Sequence, residues 1–138
     1  MSEALTWEYR KRPIKDSDIT RVEIVTGYKL PQEYIDLIRR NHGARPSKKR
    51  FNTQKAKGVM LKTFLPITEE YDVNLLNVRE WLKVPAIMVP FASTPYGDYL
   101  CFEYFSPENS PAIVLWIHEK RVKEFISISF GKFLQDLY

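Results

Sequence analysis

Cysteine and histidine are nearly absent from this chain. The single cysteine, Cys101, rules out an internal disulfide and a cysteine-rich zinc site, and His42 and His118 are the only imidazoles. No metal and no cofactor are therefore expected. Glycine is also scarce, five in 138 residues, and none stands in a Walker loop, a dinucleotide fingerprint or a G-x-S-x-G elbow. No H-E-x-x-H occurs either. Phosphate cradling and the common hydrolase geometries lose their sequence basis. Long apolar runs are missing as well. The longest, Val84 to Ala92 and Pro111 to Ile117, are too short to span a membrane, and the opening MSEALTWEYRKR lacks the apolar region of a signal peptide. These features predict no membrane partner and a cytoplasmic location.

Acidic residues are missing from one stretch. Between Leu37 and Thr68 there are nine Lys and Arg and no Asp or Glu, which leaves twelve basic against 17 acidic residues elsewhere. The net charge of +4 thus hides a strongly dipolar chain. Such an arrangement steers acidic partners or phosphate backbones toward one face. The plainer reading is a solvated basic loop.

What the chain does contain is apolar bulk. Hydrophobic residues make up 44%, with eight Phe, eight Tyr and three Trp, enough to build one core in a chain of this length. One domain is expected over 1–138, with an N-terminal arm over 1–15 packing through Trp7 and Tyr9. Asp16 or Ser17 can cap a first helix with Ile19, Val22, Glu23 and Val25 or Thr26 inward and Gly27 as its left-handed stop. Leu30-Pro31 opens a second helix with Tyr34, Ile35, Leu37 and Ile38 on its apolar face, ending at Asn41-His42-Gly43. Residues 44–57 hold six Lys or Arg and one large apolar residue, Phe51, and read as an exposed loop.

Alternation over Val59 to Leu65 predicts a strand. Asp72 can cap a third helix with Leu75, Leu76, Val78, Trp81 and Leu82 as its buried stripe. Ala86 to Ala92, Tyr99 to Phe105, Ala112 to His118 and Glu124 to Ser127 read as strands, and Phe130, Phe133, Leu134 and Leu137 as a last helix capped by Ser127 or Ser129. Helices, then strands, then a closing helix predict an α+β fold. Its single antiparallel sheet should carry the helices on one face, since alternating units would be needed for a parallel sheet.

Catalytic readings are weak. Cys101 and His118 lie on neighbouring strands, yet a lone cysteine in LCFEYF is ordinarily a small buried hydrophobe. Ser93 and Thr94 sit in a turn without an elbow motif. Glu103 and Glu119 could be proposed as paired carboxylates, but the sequence gives no separation between them and they read as solvent-facing strand or turn residues. A nucleic-acid reading of ARPSKKRFNTQKAKG has more substance, because Phe51, Asn52 and Gln54 among the cations offer one base-stacking ring and phosphate contacts.

Five segments carry a family likeness. ITRVEIVTG from Ile19 is followed by LPQEYIDLIRRNHG from Leu30 to Gly43. IMVPFASTPYGDYLCFEY runs from Ile87, and PAIVLWIHE from Pro111 leads to SFGKFL from Ser129. In order and spacing they resemble the SUKH superfamily, which contains a fungal cell-wall synthesis regulator and many bacterial immunity proteins that neutralise secreted or contact-delivered toxins. The resemblance covers roughly Ile19 to Leu137. It implies a non-enzymatic protein, monomer or weak dimer, that binds and occludes a cognate toxin protein. Glu23, Pro31, Gly43, Gly97 and Trp116 are the matching signature positions.

Read from the residues alone, those positions do structural work. Pro31 and Gly43 bracket the second helix, Gly97 sets an unusual backbone angle, Trp116 fills the core, and Glu23 is a partly buried tie that needs a partner. Exposure suggests partner contacts at Tyr96, Asp98, Tyr99 and Glu103 and at Arg45, Lys48, Lys49 and Arg50. The pI of about 9.1 points away from a nuclease target, whose basic site an acidic inhibitor would cover. A small nucleic-acid-binding module and a regulatory scaffold are the alternatives.

Overall fold

The computed structural model describes residues 5–138; the first four residues of the expected arm lie outside the described residues. Strand β1 (Trp7–Glu8) pairs antiparallel with β2 (Arg45–Pro46). Trp7 is buried edge-on against Phe64, whereas Tyr9, expected to pack, is 70% exposed under the guanidinium of Arg45.

Helix α1 (Asp16–Thr26) has Lys15 at its N-cap, not Asp16 or Ser17, and the Asp18 carboxylate accepts the Lys15 N–H at 2.8 Å. Of the two inward alternatives at its end, Thr26 is buried and Val25 is exposed. The Thr26 hydroxyl satisfies itself on the Val22 carbonyl, so it can enter the core without an unpaired donor. Helix α2 (Gln32–Arg40) follows, with Pro31 at the N-cap and Tyr34, Ile35 and Ile38 buried. Its last-turn Arg39 and Arg40 face the negative helix end.

Residues 44–57 are not simply an exposed loop. After β2, β3 (Arg50–Phe51) pairs with β4 (Val59–Met60) to form a hairpin, and Phe51 is buried against Phe133. Phe51 and the half-buried Val59 seat the hairpin, while Arg50 beside Phe51 in β3 stays exposed. The strand expected over Val59 to Leu65 is split. Its first half is β4, and its second, β5 (Thr63–Phe64), joins a different sheet.

Helix α3 (Leu75–Leu82) is capped by Asn74, whose side chain accepts the Asn77 N–H, rather than by Asp72. With the helix starting there, Leu75, Val78 and Leu82 form the buried stripe. Trp81, expected in that stripe, falls about 100° away from Leu82 and is 58% exposed.

The main sheet has the antiparallel order β5-β6-β7-β8-β9, with β6 (Met88–Ser93), β7 (Tyr99–Glu103), β8 (Ala112–Ile117) and β9 (Val122–Ser127). Among the described residues three sheets therefore stand where one was expected, since two short two-stranded pairs accompany it. The α+β class is as expected. Pro90 is tolerated inside β6 because a bulge at Phe91 interrupts the ladder beside it.

Helix α4 (Phe130–Asp136), capped by Ser129, closes the chain over the sheet. Tyr34 is ringed by Phe64, Phe91, Phe102 and Phe130, mostly edge-on, and Phe91 stacks on Phe102 at 4.4 Å. This aromatic cluster is the centre of the core on one sheet face. Trp116 and Cys101 alternate with those residues along β8 and β7 and point to the other face. There Arg121 stacks on Trp116 and donates to the Leu82 and Lys83 carbonyls, tying the β8–β9 turn to the end of α3.

Candidate functional site

The β3–β4 hairpin is preformed rather than loose. The Asn52 side chain accepts the Gly58 N–H at 3.0 Å and the Tyr138 hydroxyl, and the Thr53 hydroxyl accepts the amides of Lys55 and Ala56. Tyr138 also exchanges both backbone hydrogen bonds with Arg50 along the outer edge of β3. The local sequence explains this. Asn, Thr and Gly between Phe51 and Val59 supply turn acceptors and a left-handed residue, while the two flanking apolar residues anchor the arms.

The hairpin tip faces the turn between β6 and β7. Gly97 takes φ +85° there with open space around it, so only its backbone freedom is needed. The Thr94 hydroxyl accepts the Asp98 N–H, and the Asp98 carboxylate accepts the His118 N–H at 3.2 Å. Between tip and turn lies a cleft of about 390 Å³, floored by Leu115 and Ile117 of β8. Tyr96 and Asp98 line one side, Lys55 and Lys57 the other, with Glu124 of β9 below. Lys55 Nζ stands 3.9 Å from Glu124, whose side chain is 14% exposed, while Lys55 itself is 83% exposed.

The expected partner residues are thus divided among several places. Tyr96 and Asp98 line the cleft, and Tyr96 is 67% exposed. Arg45, Lys49 and Arg50 are exposed on β2 and the base of the hairpin, where Arg50 donates to the Gly58 carbonyl, and Lys48 is half-buried beside them. Tyr99 and Glu103 lie on the opposite sheet face, alongside Trp116. Glu103 corrects the sequence reading outright. It is 3% exposed and ion-paired with Lys123, which faces it across the intervening strand, so it is neither solvent-facing nor free to meet a partner. Burial also raises the Tyr99 phenol.

Sequence reasoning missed Lys55 and Lys57 as members of the site, together with the Leu115 and Ile117 floor and Glu124. The turn composition between Phe51 and Val59 was the signal that could have shown the hairpin.

The signature positions divide by local chemistry. Glu23 Oε2 accepts the Leu30 N–H at 2.7 Å, and Oε1 lies 3.6 Å from Lys29 Nζ, so this carboxylate joins α1 to the start of α2. The Pro31 carbonyl accepts the Ile35 amide and opens α2. Gly43 has φ +60°, and a Cβ there would fall 2.7 Å from the Lys11 side chain. Trp116 is 4% exposed, its indole N–H directed at His118 Nδ1.

The remaining chemistry candidates do not assemble. Cys101 is fully buried opposite Val114, and burial together with the Glu103 charge pushes its thiol far up. His118, the base proposed for it, lies beyond the end of β8, and its Nδ1 accepts the Trp116 indole N–H. Among the described residues no cluster of three or more His, Cys, Asp or Glu could hold a metal ion. No helix among them is long and apolar enough to cross a membrane.

Comparison with curated proteins found no match. Comparison with family profiles did, and it covers almost all of the fold just described, from the first residue of α1 into α4. The family described as SMI1-KNR4 cell-wall, SUKH_6, matches residues 16–134, and this chain belongs to it.

Proposed function

We propose that the chain is a non-enzymatic immunity protein that binds a toxin protein in the cytoplasm and occludes its active site. Membership of the SMI1-KNR4 family supports an immunity-type role. The observation that carries the binding mode is the preformed hairpin and turn. Their loops are held by side-chain acceptors at Asn52, Thr53 and Thr94, so little ordering entropy opposes docking. The contact surface comprises Tyr96 and Asp98 together with Arg45 of β2 and the cations Lys48, Lys49 and Arg50 at the base of the hairpin. An interface of about 1,600 Å² centred there would suffice for tight inhibition.

A nucleic-acid-binding module remains the second reading, favoured by the run of cations. Phe51, the ring offered for base stacking, is 2% exposed and packed on Phe133. Single-strand recognition relies on exposed rings, so the protein reading is preferred.

The test is affinity capture of the tagged chain from its own nuclease-treated lysate at about 0.15 M salt, a physiological screening regime. One stoichiometric protein, toxic when expressed without this chain, is the expected result. Retention of nucleic acid alone, lost on nuclease treatment or at higher salt, would reverse the choice.

A further inference from the structure

We propose that the cleft between the basic hairpin and the Tyr96 turn receives an apolar side chain of an acidic protein segment, with Lys55 and Lys57 meeting the carboxylates that flank it. This rests on the binding role proposed above and gives that role a partner chemistry.

The floor is apolar where the surrounding surface is charged. Leu115 and Ile117 lie at the bottom of a cleft of about 390 Å³, a volume in the range of sites that enclose small groups, and Val59 closes one end. The rim is cationic. Lys55 and Lys57 border the cleft, and Lys49, Arg50 and Lys62 continue the exposed positive surface along the hairpin. The two carboxylates in the lining already have partners within the chain: Asp98 accepts the His118 amide, and Glu124 faces Lys55. They balance Lys55 and Lys57 in formal charge, so the positive excess that an incoming anion meets comes from Lys49, Arg50 and Lys62 beside the cleft.

Lys55 is the adjustable part. Its ion pair with Glu124 is 3.9 Å long and its side chain is 83% exposed, so its ammonium can meet a partner carboxylate while staying beside Glu124. Tyr96, 67% exposed at the opposite lip, offers a ring that can lie over the inserted side chain. An apolar anchor in a pocket with a polar rim is the common arrangement of an interface hot spot.

Selection from a displayed random-peptide library on the folded chain, at about 0.15 M salt, tests this. Peptides with one aromatic or aliphatic residue among Asp and Glu should be enriched. Lys55→Glu combined with Lys57→Glu should weaken a labelled selected peptide by about tenfold or more, and Lys120→Glu, outside the cleft, should not. Replacing the peptide's apolar residue by Ser should weaken it equally. Both lysines are exposed, and an unchanged thermal melt of the double variant confirms that the fold is retained.

Enrichment of basic or uncharged peptides, no enrichment at all, or undiminished binding to the double variant overturns the proposal. So does tighter binding of a labelled oligo-dT than of any peptide. If the double variant still captures and inhibits the lysate partner as the native chain does, this inference fails while the binding role stands. If the native chain captures no protein, the binding role itself fails.

Discussion

Glu23 is where a single side chain most clearly joins two elements. Its carboxylate accepts the Leu30 amide at 2.7 Å and is only 16% exposed, whereas the Lys29 ammonium facing it is 84% exposed. The hydrogen bond should therefore outweigh the ion pair. Glu23→Ala is expected to cost about 1–3 kcal/mol, because the Leu30 donor loses its partner. Lys29→Ala should cost about 0.5 kcal/mol or less, as for other exposed pairs. Urea midpoints of the two variants check the ordering, and Glu23→Gln, which keeps an acceptor oxygen, should fall between them.

His42 predicts an acid dependence. Its Nδ1 contacts the Arg12 carbonyl at 2.7 Å, and its Nε2 accepts the Ile67 amide at 2.9 Å, so the neutral ring fits and a second ring proton would break the Ile67 bond. Burial is the largest cause lowering its pKa below 6.5; Lys11 and Arg12 lower it further, while Asp18 and the bond to Arg12 act the other way. With the folded value depressed, the unfolded chain takes up the proton first. The His42 contribution is intact above about pH 6.5 and is lost as pH falls below it. Urea unfolding from pH 8 to 5 should show this decline, and His42→Gln should flatten it.

At the scale of elements, the helices and long strands were legible in the sequence because their apolar periods agree with their packing. Tyr34, Ile35 and Ile38 show it for α2, and the alternation in β7 and β8 separates the Phe102 face from the Trp116 face. Trp81 and Glu103 were misread for a shared reason. Hydrophobicity alone placed Trp81 inside, and charge alone placed Glu103 outside, but the start of α3 turns the first to solvent while Lys123 allows burial of the second. The hairpin was hidden by its composition. Six cations outweighed the one buried ring, Phe51, that holds it down.

That hairpin depends on Asn52, which accepts both the Gly58 amide and the Tyr138 hydroxyl. Asn52→Ala should open it locally by about 1 kcal/mol, a roughly fivefold faster hydrogen exchange at the Gly58 amide, with little change at the core strands. The β8–β9 turn has its own latch. Arg121, at φ +53°, forks onto the Leu82 and Lys83 carbonyls, and Arg121→Lys should lose the fork and lower stability by about 1 kcal/mol.

For the whole molecule, the proposed binding role puts the docking surface on the cationic hairpin. Strand β9 ends the main sheet, but Lys123 and Glu124 lie within it, and a bulge at Ile126 breaks its register with β8. These features discourage edge pairing, so sedimentation should report a monomer at micromolar concentration. The basic hairpin packs beside that edge, with Lys55 3.9 Å from Glu124, and under the proposed binding role its exposed cations would meet an acidic partner. Reversing Lys48, Lys49 and Arg50 together should slow association with the captured protein at low salt, and an unchanged on-rate would remove the hairpin base from the interface. The candidate cleft was only half legible in the sequence. Turn exposure identified Tyr96 and Asp98, but the opposing wall came from a hairpin fold that composition concealed.

The most direct measurement is a titration of the captured partner's own toxic activity with the purified chain. Occlusion by a preformed surface predicts complete loss of that activity at an equimolar ratio, with a shifted titration for the Lys55→Glu, Lys57→Glu variant. Full activity in the presence of excess native chain would contradict the immunity role.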